Sequence, residues 1–283
     1  IFLHLEHLDP AVLHQRLPGI SETAKVFAGV DVTKQPIPIL PTVHYNMGGI
    51  PTNYHAEVLA PTADDPDWVC PGLMAIGEAA CVSVYGANRL GTNSLLDIVV
   101  FGRAAALRAA ETITPGAPHK PLPKDAGENS IARLDAMRHA KGSLKVADVR
   151  DRLQRGMQKH AAVFRDEEIL SEGVTVMAEI AESMSDIGIN DRSLIWNTDL
   201  VEGMELENLV GQAMVTINSA HLRQESRGAH AREDFTERDD EKWMKHSCMW
   251  LDENYQNRVQ YRDVQMNTLT DEVESFPPKA RVY

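Results

Sequence analysis

Two short stretches of the chain combine an ionisable side chain with glycine. The first is HYNMGGIPTN, in which His44 stands four residues before the pair Gly48-Gly49. Backbone that carries no side chain can come close to a ligand and offer it bare N–H groups. An imidazole beside such a backbone suits a substrate oxygen or the edge of a cofactor. An isolated histidine that only serves the structure would look the same, so both interpretations stay open.

The second stretch is the glycine-rich loop CVSVYGANRLGTN, which carries Arg89 and leads into an apolar helix. Ser94 is the predicted N-cap of that helix, and Ser94 and Asp97 have the spacing of a capping box. The free N–H groups and the dipole at a helix N-terminus favour an anion, and Arg89 adds a full positive charge. The pattern predicts a site for an anion, or for a cofactor whose reduced form is negative.

Glu78 and two glycines complete the candidates in this region. Glu78 follows a predicted strand, and Gly86 and Gly91 would let the backbone approach a flat ligand closely. The same glycines would also suit turns that bind nothing. GANRLG lacks the GxGxxG pattern of a dinucleotide-binding loop, so the loop alone does not identify a cofactor.

Several elements must position these residues. Within residues 71–112, GLMAIGEAA predicts a buried strand, followed by the loop and the helix, as in part of an α/β layer. Residues 114–130 are rich in Pro, Gly and Lys and predict a linker. Apolar residues then recur at three- and four-residue spacing, which predicts three amphipathic helices in an antiparallel bundle. From Trp243, two apolar runs around DENYQ predict a β-hairpin.

The composition excludes several classes of function. Of 283 residues, 43% are hydrophobic, which is enough to fill a core. A formal net charge of -13 without a Lys/Arg-rich run opposes binding to nucleic acid or to an anionic membrane surface. Three cysteines without a CxxC pair indicate unpaired thiols in a reducing compartment, and argue against a zinc or iron–sulfur site. Asp97 and Arg103 interrupt the most apolar stretch, so no membrane span is predicted.

Long motifs resemble one protein family. PTVHYNMGGIPTN and PGLMAIGEAACVSVYGANRLGTNSLLDIVVFGRAAA resemble the flavoprotein subunits of the succinate dehydrogenase and fumarate reductase family. WNTDLVEGMELENLVGQAMVTINSA, ESRGAHAREDF and PPKARVY are similar to the same subunits, so the resemblance extends over essentially the whole chain. The chain opens with IFLHLEHLDP, without an initiator Met or a signal-peptide pattern, and we expect a C-terminal fragment or a processed piece.

The resemblance implies an α/β fold with an additional helical domain. Residues 1–38 would end a capping domain, and residues 39–115 would form the C-terminal part of an FAD-binding α/β domain. Residues 131–230 would form the helical bundle domain, and residues 231–283 a small C-terminal domain that contains strands.

The resemblance also implies the site residues. His44 would bind a substrate carboxylate, and Arg89 would bind a carboxylate at the flavin face. Glu78 would reach the FAD ribose, while Ser94 and Leu95 would lie near the isoalloxazine. A dicarboxylate needs cationic or donor groups at both ends, and a reduced flavin with charge near N1 and O2 gains from a helix N-terminus.

The implied activity is the oxidation of succinate to fumarate. In this family a hydride passes to FAD, an arginine takes a proton, and electrons leave through an iron–sulfur subunit to quinone at the membrane anchor subunits. No catalytic residue is assigned here, because the proton-transferring arginine has no match and Arg16 does not take its role. The dinucleotide fingerprint and the flavin-linking histidine also have no match, so we expect the fragment alone to be inactive and to hold FAD poorly. The expected location is the cytoplasmic face of a bacterial inner membrane or the matrix side of its mitochondrial equivalent.

Three alternatives stay open: a fumarate reductase, an L-aspartate oxidase, and a non-catalytic assembly or interaction module. Tyr85 departs from the family, which usually has His at that position, so the hydrogen bonds made there need to be established. Arg227, His230 and Arg232 of ESRGAHARED have three interpretations. They would contact the iron–sulfur partner, order a domain junction, or belong to a solvated charged loop.

Overall fold

The computed structural model describes residues 1–40 and 44–279, in which helices and short strands are mixed. The eight α-helices of this part are α1 Pro10–Arg16, α2 Pro18–Thr23, α3 Asn93–Thr112, α4 Glu128–Arg138, α5 Val146–His160, α6 Glu167–Ser183, α7 Thr198–Leu222 and α8 Asp240–Trp243. The strands are β1 Phe2–Leu3, β2 Ile37–Pro38, β3 Ile50–Pro51, β4 Glu57–Leu59, β5 Val69–Met74, β6 Ala80–Cys81, β7 Leu144–Lys145, β8 Ile187–Gly188, β9 Lys245–Leu251 and β10 Asn257–Asp263. The expected mixture of α/β and helical parts is confirmed.

The chain separates into two compact units, Ile1–Asn46 and Met47–Tyr283. In the first unit β1 pairs antiparallel with β2, and a small core contains Leu13, Ala24, Val30 and Val32. Asp9 caps α1 by accepting a hydrogen bond from the Ala11 N–H, and proline at the first helical position needs no donor of its own. The four domain boundaries expected from the resemblance stay a prediction.

Short strand pairs surround α3 in the second unit. β3 pairs parallel with β6, and β4 pairs antiparallel with β5. The predicted buried strand over GLMAIGEAA is wrong in extent and in burial: β5 ends at Met74, most of its residues are exposed or half-buried, and a 3₁₀ turn, Gly77–Ala79, follows. Among the described residues β5 pairs with β4 alone, and this two-stranded ladder leaves much of the strand surface uncovered.

The start of α3 also differs from the prediction. The helix begins at Asn93, and the residue at the cap is Thr92, whose φ of 69° is in the left-handed region and whose side chain caps no N–H group. The Thr92 hydroxyl donates instead to the Gly91 carbonyl at 2.6 Å. Ser94 is therefore a residue of the first helical turn, and the predicted capping box with Asp97 does not form.

The helical bundle is confirmed, and its core is the largest in the chain. α5, α6 and α7 pack through their apolar stripes, with Leu153, Met177, Leu206 and Ile217 all buried. Each residue that enters this core contributes on the order of 2 kcal/mol of transfer free energy. Asp166 caps α6 by accepting from the Ile169 N–H at 2.8 Å, whereas Lys145 at the N-cap of α5 makes no side-chain cap.

The predicted C-terminal hairpin is confirmed as β9 and β10, which pair over seven residues each. Two long-range bonds hold this hairpin against an earlier loop. Arg262 Nε contacts the Asp67 carboxylate at 2.5 Å, and Gln260 Nε2 donates to the Thr62 carbonyl at 2.5 Å. Within residues 1–40 and 44–279, no helix is both long and apolar enough to cross a bilayer.

Candidate active-site loop

Arg89 lies half-buried in the irregular loop that precedes α3. Its Nη1 donates to the Ser94 hydroxyl at 3.3 Å and to the Leu90 carbonyl at 3.3 Å. The next helical residue, Leu95, has 67% of its surface exposed. The fold therefore brings three of the five predicted site residues together at the N-terminus of α3.

A second set of bonds holds the same loop to the helix. The Tyr85 hydroxyl donates to the Asp97 carboxylate, and the Asn93 carbonyl at 3.3 Å is a second acceptor within reach of the same proton. Asp97 is only 3% exposed, so this charge depends on its donor for compensation. At position 85 the hydrogen bond to Asp97 is thus made by the phenol of Tyr85, whereas the family that the chain resembles usually has a histidine there.

The N-terminus of α3 is suited to a negatively charged group. The helix has 20 residues, and its N-cap residue, Thr92, offers no side-chain acceptor to the first N–H groups. These groups carry the positive end of the helix dipole, and the guanidinium of Arg89 lies beside them. The arrangement can stabilise a bound carboxylate or negative charge that develops on a ring system.

The same surface has room for a flat aromatic group. Leu90, Leu95 and Leu96 are between 61% and 67% exposed, so apolar side chains surround the charged end of the helix. A Cβ added to Gly86 or Gly91 would meet no atom within 4 Å. An exposed apolar rim around a cationic helix end fits the isoalloxazine of a flavin, which is apolar in its rings and negative when reduced.

Glu78 lies in the 3₁₀ turn that packs against α3, and its side chain is exposed. A Cβ on the neighbouring Gly77 would lie 3.4 Å from Cγ1 of Ile98, which places the turn directly against the helix. Gly49, with φ of 120°, makes this turn possible, because a Cβ there would lie 2.6 Å from the Ala79 carbonyl oxygen. The space at Gly49 is thus filled by the chain itself, whereas Gly48 is open.

His44 belongs to the first unit of the chain and is exposed. The three preceding residues of its motif, 41–43, lie outside the described residues, as do residues 280–283 of the terminal motif. The other four predicted site residues belong to the second unit. The role of His44 stays a prediction from the resemblance.

The stretch ESRGAHARED contains an ionic network with two buried members, Glu225 and Arg232, and the solvated-loop interpretation is wrong for Arg232. Arg232 is 2% exposed and binds Asp234 through two bonds of 2.7 and 2.6 Å, with Glu167 at 3.2 Å. Glu225 is fully buried; burial opposes its charge, but bonds from Arg227, Arg223 and the Asp239 N–H outweigh that effect and lower its pKa. The network fixes the connection after α7.

Two features of this region were not predicted from the sequence. The first is the Tyr85–Asp97 pair, and the second is a bond from the Ala229 N–H to the Ala87 carbonyl at 2.9 Å. Gly228, which lies between Arg227 and Ala229, was the available sequence signal for a close approach. Within the described part of the chain, no cluster of His, Cys, Asp or Glu has the arrangement of a metal site.

Two family models match most of the chain. Residues 1–95 match the family model described as FAD binding domain, and residues 150–283 match the model described as Fumarate reductase flavoprotein C-term. The cofactor indicated for the chain is therefore FAD, in agreement with the surface at α3.

Individual relatives extend over the whole chain. The mitochondrial succinate dehydrogenase [ubiquinone] flavoprotein subunit of Oryza sativa subsp. japonica is 65% identical over 283 residues, which are 100% of this chain and 45% of the relative. The fumarate reductase flavoprotein subunit of Escherichia coli (strain K12) is 37% identical over 286 residues, with coverage of 100% and 45%.

A solved structure gives the same result for the fold. An E. coli quinol fumarate reductase superimposes with a TM-score of 0.82 at 37% identity, over 95% of this chain and 45% of that one. The chain thus spans about half the length of the relatives it matches. On the strength of these matches along its entire length, the chain belongs to the family of succinate dehydrogenase and fumarate reductase flavoprotein subunits.

Proposed function

We propose that this chain forms the C-terminal part of the flavoprotein subunit of a succinate dehydrogenase, which oxidises succinate to fumarate. The observation that carries the proposal is that the chain, aligned over its full 283 residues, is 65% identical to the rice succinate dehydrogenase flavoprotein subunit. Identity to the fumarate reductase subunit of E. coli is 37%, which supports the dehydrogenase among the related activities.

Within this proposal, Arg89 binds one carboxylate of the substrate. A guanidinium is permanently charged, and its planar fork matches a carboxylate in two-pronged hydrogen bonding. The bonds of Arg89 to Ser94 and Leu90 hold it beside the N-terminus of α3. His44 is proposed to bind a substrate carboxylate as well, on the resemblance of its motif alone.

Glu78, Ser94 and Leu95 are proposed to hold FAD, which supplies the hydride acceptor when it is bound. Glu78 accepts hydrogen bonds from the ribose, and Leu95 covers apolar ring surface. The first turn of α3 and Ser94 stabilise negative charge where the reduced ring carries it. The proton-transferring arginine has no counterpart among the residues of this chain, so we assign no proton transfer here.

The partners of the proposed subunit follow from its class. Electrons leave to an iron–sulfur subunit and, through it, to quinone at membrane anchor subunits. The proposed location is peripheral, on the cytoplasmic face of a bacterial inner membrane or the matrix side of the mitochondrial inner membrane. The related proteins include a mitochondrial subunit from rice and bacterial subunits, which supports both settings.

The direction of the reaction is tested with the full-length flavoprotein assembled with its partner subunits. Succinate oxidation with an artificial electron acceptor and fumarate reduction with a low-potential donor are measured on the same preparation. We expect succinate oxidation to be the faster reaction. If fumarate reduction is the faster reaction under matched driving force, the result favours the fumarate reductase alternative. The TM-score of 0.82 to a fumarate reductase supports that alternative.

A further inference from the structure

A four-residue turn after α7, Arg227 to His230, contacts the backbone of the loop that carries Arg89. Gly228 has φ of 61°, and a Cβ added there would lie 2.5 Å from the Ala87 carbonyl oxygen and 2.6 Å from its carbon. The neighbouring Ala229 N–H donates to that same oxygen at 2.9 Å. Two backbones therefore meet at a distance that only glycine permits.

The turn itself is closed by bonds between its ends. The Arg227 N–H donates to the His230 carbonyl at 2.8 Å, and the His230 N–H donates back at 3.1 Å. The Arg227 guanidinium donates two hydrogen bonds, of 2.8 and 2.9 Å, to the Glu225 carboxylate and a third, of 2.7 Å, to the Asp240 carboxylate. Glu225 is fully buried and the Arg227 side chain is 19% exposed, so this charged, two-pronged pair is largely sheltered from water and anchors the turn.

His230 anchors the other end of the turn. Its Nδ1 lies 3.0 Å from Arg165 Nη1, and its Nε2 lies 2.9 Å from the Arg223 carbonyl. A guanidinium only donates and a carbonyl only accepts, so the ring must be neutral with its proton on Nε2. Both ends of the turn are thus fixed to the helical part of the chain.

Ala87 lies two residues after Tyr85 and two residues before Arg89. Tyr85 ties the first part of this loop to α3 through Asp97. The turn at Gly228 supplies the second restraint, at the Ala87 carbonyl. These two restraints on one side of Arg89 and the start of α3 at Asn93 on the other limit how far the backbone at Arg89 can move.

We infer that Gly228 is a positioning residue for Arg89, acting through the contact between its turn and the Ala87 backbone. A side chain at 228 would displace the Ala87 peptide and with it the guanidinium two residues later. This inference rests on the proposed function, because it takes Arg89 as the residue that binds a substrate carboxylate. A misplacement of about 1 Å in such a group costs up to roughly a hundredfold in rate.

The test uses the flavin-containing full-length protein and malonate, a dicarboxylate that cannot be dehydrogenated. Its dissociation constant is measured from the perturbation of the flavin absorption spectrum. Gly228→Ala is compared with Gly116→Ala, whose φ of 78° carries the same backbone strain but whose Cβ would meet nothing within 4 Å. We expect the constant to rise about tenfold or more in Gly228→Ala and to stay near the parent value in Gly116→Ala.

A double-mutant cycle with Arg89→Ala separates positioning from general damage to the fold. If Gly228 acts through Arg89, Gly228→Ala causes no further loss of malonate affinity in the Arg89→Ala background. A loss of the same size in both backgrounds, or equal constants for Gly228→Ala and Gly116→Ala, overturns the inference. Normal malonate binding by Arg89→Ala alone would instead contradict the proposed role of Arg89.

If Gly228→Ala yields no folded flavoprotein, a milder variant tests whether the turn at Gly228 positions Arg89. Arg227→Lys keeps the charge but loses the two-pronged grip on Glu225, so it loosens the turn without adding atoms at the contact. We expect a rise of about threefold in the malonate constant that disappears in the Arg89→Ala background. An unchanged constant in Arg227→Lys overturns the inference.

Discussion

Tyr85 fixes the loop before Arg89 with a single hydroxyl. That hydroxyl donates to Oδ2 of Asp97, which is 3% exposed, while the other carboxylate oxygen, Oδ1, has no hydrogen-bond partner within residues 1–40 and 44–279. A phenol and an imidazole can each donate one hydrogen bond, so the departure from the histidine usual in the family preserves the donor. The cost of losing it would be that of leaving a carboxylate buried without compensation.

The substitution Tyr85→Phe is therefore expected to destabilise the chain by about 1–3 kcal/mol, because the buried Asp97 carboxylate loses its donor. The free energy of unfolding is measured in urea by tryptophan fluorescence. Tyr54→Phe is the matched control, since Tyr54 is 52% exposed and its hydroxyl has no buried acceptor to satisfy. Equal unfolding free energies for the two variants would show that the Tyr85 hydroxyl does not stabilise the loop.

Residue types predicted that the loop carrying Arg89 leads into a helix, but local patterns could not place every side chain. The motif around Arg89 correctly predicted a charged loop at a helix start. Ser94 was predicted as the cap, yet the left-handed Thr92 begins the helix earlier and turns its hydroxyl to Gly91. Gly49 was expected to leave space for a ligand, and the Ala79 carbonyl occupies that space. Both outcomes depend on tertiary contacts that spacing does not encode.

Among the secondary-structure elements, hydrophobic periodicity predicted the helices that pack into a core and missed a helix that has no buried residue. The stripes of α5, α6 and α7 and the alternation of β9 and β10 gave elements that the fold contains. α4 was not predicted, because none of its residues is buried and its apolar residues form no stripe. Leu209, which continues the apolar pattern of α7, is 42% exposed, so periodicity marks a helix more reliably than it marks each buried residue.

The turn after α7 has a pH dependence that its histidine sets. Burial lowers the pKa of His230 below the ordinary value of 6.5, and the charges of Arg165, Arg223 and Arg232 act in the same direction. Below pH 6.5 the unfolded chain therefore binds a proton here more readily than the folded chain does. Stability is lost as the pH falls from 6.5 toward the lower pKa of the folded state.

We expect His230→Gln to flatten the decline in unfolding free energy between pH 6.5 and pH 5, by at most about 1.4 kcal/mol per pH unit. Glutamine keeps one donor and one acceptor but does not titrate. His246, whose pKa burial also lowers, maintains part of the decline in the variant. His119→Gln is the control at an exposed position, and an identical pH profile for both variants would contradict the neutral state of His230.

At the scale of the molecule, the chain covers 45% of its rice relative, and α3 carries apolar residues on a largely uncovered surface. Leu95, Leu96 and Val99 are between 62% and 69% exposed. A flavin bound only by this surface would be held from one side. We expect the 283-residue chain, purified alone, to be colourless, as checked by its absorption near 450 nm, and bound yellow FAD at a stoichiometric level would contradict this.

Long-range contacts were the part of the molecule that the sequence could not predict. The bond between Ala229 and Ala87 joins segments that lie in different predicted domains. The same is true of the bonds that join β10 to residues 62–67. Each segment is recognisable alone, but its partner is set by the three-dimensional path of the chain between them.

The proposed function depends on Arg89, at the N-terminus of α3, as the residue that binds a carboxylate of succinate. It is tested most directly by the steady-state rate of succinate oxidation, kcat/KM, in the full-length flavoprotein with Arg89→Ala. Arg155→Ala is the matched control, because the Arg155 side chain is 80% exposed on the helical bundle.

Loss of a charged pair between Arg89 and the substrate is expected to cost several kcal/mol, or on the order of a thousandfold in kcat/KM. We expect a decrease of that order in Arg89→Ala and a value near that of the parent in Arg155→Ala. A kcat/KM in Arg89→Ala that equals the value in Arg155→Ala would contradict the account.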